Sequence, residues 1–296
     1  MPSGNKKPFV PLFAPTSTRP LSHYNGPAAP YSLIRDQFSI TTWLSIGAVL
    51  QGGLFLVAGR LALIPALALV LFRALDAYAV VTGWKANPWT KDTVLQHVSA
   101  QFPDEEGRFG PEPANQDVVV LLIGTRSNSP LGLLSPGFKE LGEYFSSMVK
   151  SLEEKPEEYG FLGMTSWLNS SDRATQSELM NVAYFKSVES LYAFTHGPVH
   201  RAGVEWWAKT VKEHDHLAIW HEVYHAPKGH WENIYYNSHQ SGILSTTHKI
   251  YDAASGSEMW TSPVVDAGKG VLKTSAGRMG RTQHNDDLIE SVAEKY

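Results

Sequence analysis

Apolar residues are distributed along the chain in three ways, and each predicts a different element. The first is the long uncharged run. Phe38 to Gly59 extends about 22 residues without a charge, close to the length that crosses a bilayer core. Leu61 to Phe72 continues it after Arg60, and Ala74 to Trp84 extends it past Arg73 and Asp76, whose i, i+3 spacing allows them to pair on a helix. The second is the short run rich in branched and aromatic residues, which predicts strands over Asp117–Thr125, Phe161–Leu168, Asn181–Lys186 and Leu217–Tyr224. The third is helical periodicity. Phe138, Leu141, Phe145, Met148 and Leu152 recur at i, i+3, i+4 spacing, in a helix that Ser135 opens, with Pro136 first, and that runs through Glu154. A second helix is opened by Ser187 with Ser190, restarts or kinks at Pro198 and runs to about Glu213.

The order is β-α-β-β-α-β, a ferredoxin-like α+β domain over residues 116–243, with Glu232 to Tyr236 as an added edge. The polar stretch Asn169, Ser170, Ser171, Asp172 and Arg173 reads as a turn with its own local network. Residues 1–37, rich in proline and small polar residues, read as a flexible tail, 85–115 as a linker, and 244–296 as an extended tail with a short helix from Asp286. Residues 38–84 are expected to form a membrane hairpin turning near Arg60, or one spanning helix followed by an interfacial helix. Lys6, Lys7, Arg19 and Arg35 precede the span and Lys85 and Lys91 follow it, which places both flanks in the cytosol, with the endoplasmic reticulum as the expected membrane.

Composition narrows the chemistry. A net charge of −4 with no basic stripe carries no nucleic-acid signature. The absence of cysteine excludes disulfides, thiolate metal sites and a cysteine nucleophile. Of the 12 histidines, His196, His200, His214, His216, His221, His225 and His230 fall between Tyr184 and Asn237, so candidate chemistry concentrates there. His221-Glu222-Val223-Tyr224-His225 matches the H-E-x-x-H pattern of zinc peptidases. That pattern needs a helix, whereas Leu217–Tyr224 reads as a strand closed by Pro227 and Gly229, on which the two histidines stand about 13 Å apart. No metal site is therefore assigned to it. On the strand, Ile219, His221 and Val223 share one face and Trp220, Glu222 and Tyr224 the other. Two catalytic sets follow: Glu222 as base with the Tyr224 phenol holding an oxyanion, or His221 with His200. His214, Asp215 and His216 are expected to brace the helix-to-strand connection.

Tyr184 to Leu191, followed by Phe194, Thr195, His196 and His200, resembles the antibiotic-biosynthesis-type monooxygenases, dimeric α+β barrels. The segments HGPVHRAGVEWW, HDHLAIWHEVY, APKGHWENIYYN and SAGRMGR resemble more closely the fungal membrane-bound branch typified by the monooxygenase of fumagillin biosynthesis. The resemblance implies a homodimeric tailoring enzyme acting on a hydrophobic fungal metabolite such as a terpenoid or polyketide. It further implies either cofactor-independent oxygenation through a substrate anion or non-covalent haem, with His200 as ligand and His196 beside it. A non-redox cyclase, isomerase or dehydratase, or a membrane-tethered binding protein, are the alternatives on the same barrel.

Overall fold

The computed structural model describes residues 7–22, 29–170 and 178–281. Its elements are α1 (Ala29–Asp36), α2 (Ile40–Ala58), α3 (Leu63–Val81), β1 (Thr93–Ala100), β2 (Val118–Ser127), α4 (Phe138–Glu154), β3 (Phe161–Leu168), β4 (Leu179–Phe185), α5 (Val188–Thr195), α6 (Pro198–Thr210), β5 (Leu217–Ala226), β6 (Tyr235–His239), β7 (His248–Asp252), β8 (Ser257–Thr261), β9 (Val264–Asp266) and α7 (Ser275–Arg278). The apolar run of β2 lies inside a four-stranded antiparallel sheet ordered β3-β4-β2-β5, with β5 at the edge. Between β2 and β5 the order is the expected β-α-β-β-α-β, the second helix being broken into α5 and α6 at Gly197-Pro198.

Alternate residues of this sheet meet different partners. Val119, Ala183 and Phe185 face α4 and α5, packing with Val149, Leu152, Leu191 and Phe194. Val118, Leu162 and Tyr184 face the other way, into a second core with Val98, Phe102, Trp231 and Val264. That second core is roofed by the sheet β6-β1-β9, so segments expected to carry no regular structure supply it. β1 lies within the expected linker 85–115, and β7, β8 and β9 lie within the expected extended tail. Likewise β6 pairs with β1 and not with the edge of the β2 sheet, because Asn233 accepts from the Ala100 amide and draws the chain across. The partners of β1, β6 and β9 are distant in sequence, so no local pattern announces the pairing.

Two further expectations are corrected. α4 begins at Phe138 and not at Pro136, because Gly137 takes a left-handed φ of 77° and the Ser135 hydroxyl is committed to the Gly132 carbonyl at 2.7 Å. Asp76 pairs with Lys85 and not with Arg73. Residues 171–173 of the polar turn, and the helix expected from Asp286, lie outside the described residues.

α2 and α3 have 19 residues each and no buried side chain, about 28 Å apiece at 1.5 Å per residue. The stretch Ile40–Val81 is long and apolar enough to cross a membrane. It is interrupted by a short 3-10 segment, Gly59–Ala62, that contains Arg60. Gln51 donates its side-chain amide to the Ala62 carbonyl at 2.9 Å, a contact that residues about 16 Å apart along a straight helix could not make, so the chain bends back there.

Residues 7–22 also differ from the flexible tail expected. They form a strap along the domain, bonded at Phe9 to Phe109, at Leu12 to Val264 and at Thr16 to Trp260. Its fastening is Arg19, paired with Glu153, both largely buried (8% and 12% exposed), with the guanidinium over the rings of Phe161 and Trp260. Burial draws that guanidinium down to about 10, which still leaves it charged at neutral pH. Arg19→Ala would strand the Glu153 carboxylate, so we expect a loss of about 3 kcal/mol in denaturant unfolding. A change below about 0.5 kcal/mol would show the strap to be loosely held.

His248 lies fully buried against Phe102, ring centroids 4.4 Å apart, with Nε2 3.2 Å from the Thr246 hydroxyl. Burial holds its imidazole down to about 3, so the folded protein keeps it neutral while the unfolded chain protonates it near its ordinary value. Its contribution is therefore complete above about pH 6.5 and is lost as pH falls toward the folded value, about 2.5 kcal/mol by about pH 4.5. Unfolding titrations over that range should show this slope in the native protein and lack it in His248→Phe.

Candidate functional site

The H-E-x-x-H segment folds as β5, in register with β2 so that His221 pairs with Ile123, Glu222 with Leu122 and Tyr224 with Val120. His225 is occupied elsewhere: its Nε2–H donates to Asp117 at 2.9 Å, and the other oxygen of that carboxylate accepts from the Lys228 amide at 2.8 Å. Among the described residues, no group of three or more His, Cys, Asp or Glu side chains is placed to hold a metal ion.

The two faces of β5 have different surroundings. His221 and Ile219 lie on the side that carries the helices, although at this edge strand both are exposed. Glu222 and Tyr224 lie on the opposite side, where the Tyr224 hydroxyl donates to Glu222 at 2.5 Å and both remain exposed. That bond raises the phenol above its ordinary value, which keeps it protonated. Trp220, on the same face, lies directly over Gly124: a β-carbon at position 124 would come within 2.2 Å of the indole, so only glycine admits this packing.

On the helix side, the sheet and α4 enclose a cavity of about 490 Å³. Its walls are Ile123 of β2, Leu179 of β4, Ile219 of β5, and Phe138, Leu141 and Phe145 of α4, with Leu33 of α1. Thr125, Lys139, Glu143, Ser146 and Ser147 complete a mainly apolar lining, and within it stands Asn181, 4% exposed, its Oδ1 accepting from the Ser166 hydroxyl at 2.5 Å. With that oxygen occupied, the amide has its NH2 donors to offer a ligand. Reading the sequence alone overlooked Asn181, since a lone asparagine in a strand shows no pattern. A polar residue alternating into the buried face of β4 was the available signal.

The five candidate residues are thus separated. His221, paired with Ile123 and two residues from Ile219, shares the cavity's face of the sheet but stands outside its lining, exposed. Burial of His200 in α6 lowers its pKa and favours the neutral imidazole, against the Thr195 carbonyl, which raises it, and with smaller lowering contributions from His221 and His196. Among the described residues the His200 Nδ1 has no hydrogen-bond partner. His196 is turned outward, its Nδ1–H donating to the Tyr192 carbonyl at 2.8 Å, beside a shallow surface hollow with Arg201 and Glu205. Glu222 and Tyr224 are across the sheet from the cavity. Among the described residues, neither His196 nor His200 lines this cavity, so neither is placed to hold a haem within it.

The surrounding histidines and aromatics support the scaffold. His216 Nε2–H donates to the Pro136 carbonyl at 2.9 Å, and His214 sits against Gly137, fixing the entry to α4. Trp206 stacks near Tyr144, and Trp231 is buried beside Phe102. Arg278 of the SAGRMGR segment, 5% exposed, donates to Glu232 at 2.6 Å and to the Leu272 carbonyl, pinning α7 to the second sheet.

A ferredoxin-like α+β domain that holds an apolar cavity between its first helix and its sheet belongs to the class of small-molecule-binding enzymes of this architecture. Residues 118–243 match the family described as Monooxygenase af470-like. The chain is 30% identical over 273 residues to the Aspergillus fumigatus protein named Monooxygenase af470, covering 92% of this chain and 97% of that one. It therefore belongs to the af470-like monooxygenase family and is an enzyme of the monooxygenase class. Solved structures similar to it include SnoaB, a cofactor-independent oxygenase from Streptomyces nogalater, at 13% identity and a TM-score of 0.25 over 37% of this chain and 91% of SnoaB. The aldoxime dehydratase OxdRE matches at 14% identity and a TM-score of 0.36, over 51% of this chain and 43% of that one. Likeness at these scores carries no argument about function.

The cavity can be tested without a substrate. Gly142 lines it from α4, and a β-carbon there would meet nothing within 4 Å. Gly142→Trp should fill the space, weaken binding of an apolar fluorescent probe about tenfold or more, and leave the melting temperature unchanged or higher, since glycine disfavours helix. Unaltered probe binding would place the apolar site elsewhere.

Proposed function

We propose that this chain is a membrane-anchored monooxygenase that oxidises a lipophilic small molecule, of terpenoid or polyketide type, in the cavity between α4 and the sheet. The observation that carries this reading is the buried amide of Asn181 in a mainly apolar chamber, whose other polar lining residues are Thr125, Lys139, Glu143, Ser146 and Ser147. Such a site binds a hydrophobic skeleton by area and fixes its orientation with a buried polar group. The Asn181 NH2 would hold an enolate or phenolate oxygen as negative charge develops. His200 and His221, on the helix side of the sheet but outside the cavity lining, would accept the substrate proton through an intervening water. The anion then adds dioxygen to give a hydroperoxide, which loses water to leave a carbonyl, so that one oxygen atom enters the product and the other leaves as water. No haem is required for this sequence, and the placement of His196 and His200 speaks against one in this cavity.

The anchor is residues 38–84, within a membrane such as the endoplasmic reticulum and with the catalytic domain, 116–243, on the cytosolic side. Two aromatic pairs support a hairpin over a single span: Phe38 with Trp43 at the start of α2 and Tyr78 with Trp84 at the end of α3, each edge to face. Aromatic residues favour the membrane interface, and both pairs flank the apolar stretch where it meets polar chain. The uncovered sheet face with Trp167 (48% exposed) and Tyr224 (54% exposed) is the surface a second copy would cover in a homodimer. In that arrangement Glu222 and Tyr224 belong to the dimer seam.

The test is mass spectrometry of lipophilic extracts of the producing cell after incubation with the full-length protein in vesicles under isotopically labelled dioxygen. A product carrying one labelled oxygen is expected, and Asn181→Ala should lower kcat/KM about a hundredfold, with Glu222→Gln within about threefold of the native value unless dimerisation fails. Product formed without label would instead establish a non-redox cyclase, isomerase or dehydratase.

A further inference from the structure

α1 is joined to the first apolar helix by only Gln37, Phe38 and Ser39, yet it also supplies Leu33 to the lining of the cavity. The same short segment is fixed at both ends. Toward the span, the Trp43 indole donates to the Arg35 carbonyl at 3.0 Å, and Ser39 caps α2. Toward the domain, the Gln37 side chain grips one turn twice: its Nε2 donates to the Leu131 carbonyl and its Oε1 accepts from the Leu133 amide, each at 2.8 Å. Between those contacts Gly132 has φ 52°, and a β-carbon there would lie 2.5 Å from the Gln37 oxygen, so glycine is what allows the close approach. The turn leads directly into Phe138 and Leu141, which wall the cavity.

The surface around this clamp is apolar. Tyr31 and Ile34 of α1 are 76% and 55% exposed, and Leu131 and Leu134 of the turn are 53% and 75% exposed. They stand beside the residue at which the uncharged run begins, so they lie at the level of the lipid headgroups if α2 enters a bilayer. We propose that this surface rests on the lipid and that the cavity is loaded sideways from the bilayer, a lipid-dissolved apolar molecule passing between α1 and the 131–134 turn with the Gln37 amide as the latch. This rests on the reading of residues 38–84 as membrane-inserted. Water-soluble substrates have no advantage by this route; those that partition into lipid arrive already concentrated at the opening.

The chain has no cysteine, so an introduced pair supplies its only thiols. Full-length protein in phosphatidylcholine vesicles is exposed to a diazirine analogue of a long-chain alcohol, illuminated, and mapped by peptide mass spectrometry. Labelling of α2 around Val49 reports insertion, and labelling of Phe138, Leu141 and Phe145 reports entry. Gln37→Ala should label the cavity about tenfold faster, as expected when two ordinary hydrogen bonds holding the closed state are removed. A Gln37→Cys, Leu131→Cys protein closed with a short reversible bis-thiol reagent should lose cavity labelling and regain it on reduction. If α2 is labelled while neither the bridge nor Gln37→Ala changes cavity labelling, or the cavity is never labelled, the lateral route is wrong and the anchor stands. If α2 itself is not labelled, the membrane reading fails and the route with it.

Discussion

The constraint on which this structure turns is that β2 is apolar on both faces and lies inside its sheet. A strand of that kind requires cover on both sides. α4 and α5 supply it for Val119, and the β6-β1-β9 sheet supplies it for Val118. The second cover is what recruits chain from far away: residues 93–100 and 264–266 become strands, and the N-terminal strap crosses them, because a naked sheet face would otherwise meet water. Toward the other end of β2 the cover is incomplete. Ile123 faces a cavity on one side, and Leu122 opposes the exposed Glu222 on the other.

What could be read from the sequence follows the same division. β2, β3, β4, β5 and the periodic helices were legible because their apolar patterns can be read without knowing which element each one packs against. β1 and β9 were not, and β6 was legible only in part, as an edge over Glu232 to Tyr236, since residues such as Ser99 and Asn233 stabilise them through specific hydrogen bonds to distant partners and not through a periodic pattern. Arg19 shows the limit most clearly. In sequence it is one basic residue in a proline-rich tail; in the fold it is buried against Glu153 and two aromatic rings.

The candidate site was legible to the level of a strand and its two faces. Alternation separated His221 from Glu222 and Tyr224, but could not say which face was enclosed, because β5 is an edge strand and mixes polar and apolar residues on both sides. The choice is made by α4, which lies elsewhere in the sequence. Its Phe138, Leu141 and Phe145 stripe was recognised as helical, yet the same spacing serves a packed core and a cavity wall equally well. Asn181 completes the difference, for a buried amide is tolerated only where hydrogen bonding compensates its burial, and here Ser166 satisfies the oxygen and leaves the donors toward the cavity.

The size of the cavity bears on how it is entered. A dry, sealed void of about 490 Å³ would cost about 12 kcal/mol at the rate found for engineered core cavities, as much as the whole stability of many domains. The space is therefore open to its surroundings or filled by a ligand for most of the time. Opening toward water exposes Ile123, Leu179 and Phe145 to solvent and regains little. Opening toward lipid costs them nothing, because alkyl chains solvate apolar walls as well as a substrate does. A mainly apolar chamber lined in part by Leu33, five residues before an uncharged span, is thus most stable when its mouth meets the bilayer, and the closure at Gln37 needs only the strength of two hydrogen bonds to one turn.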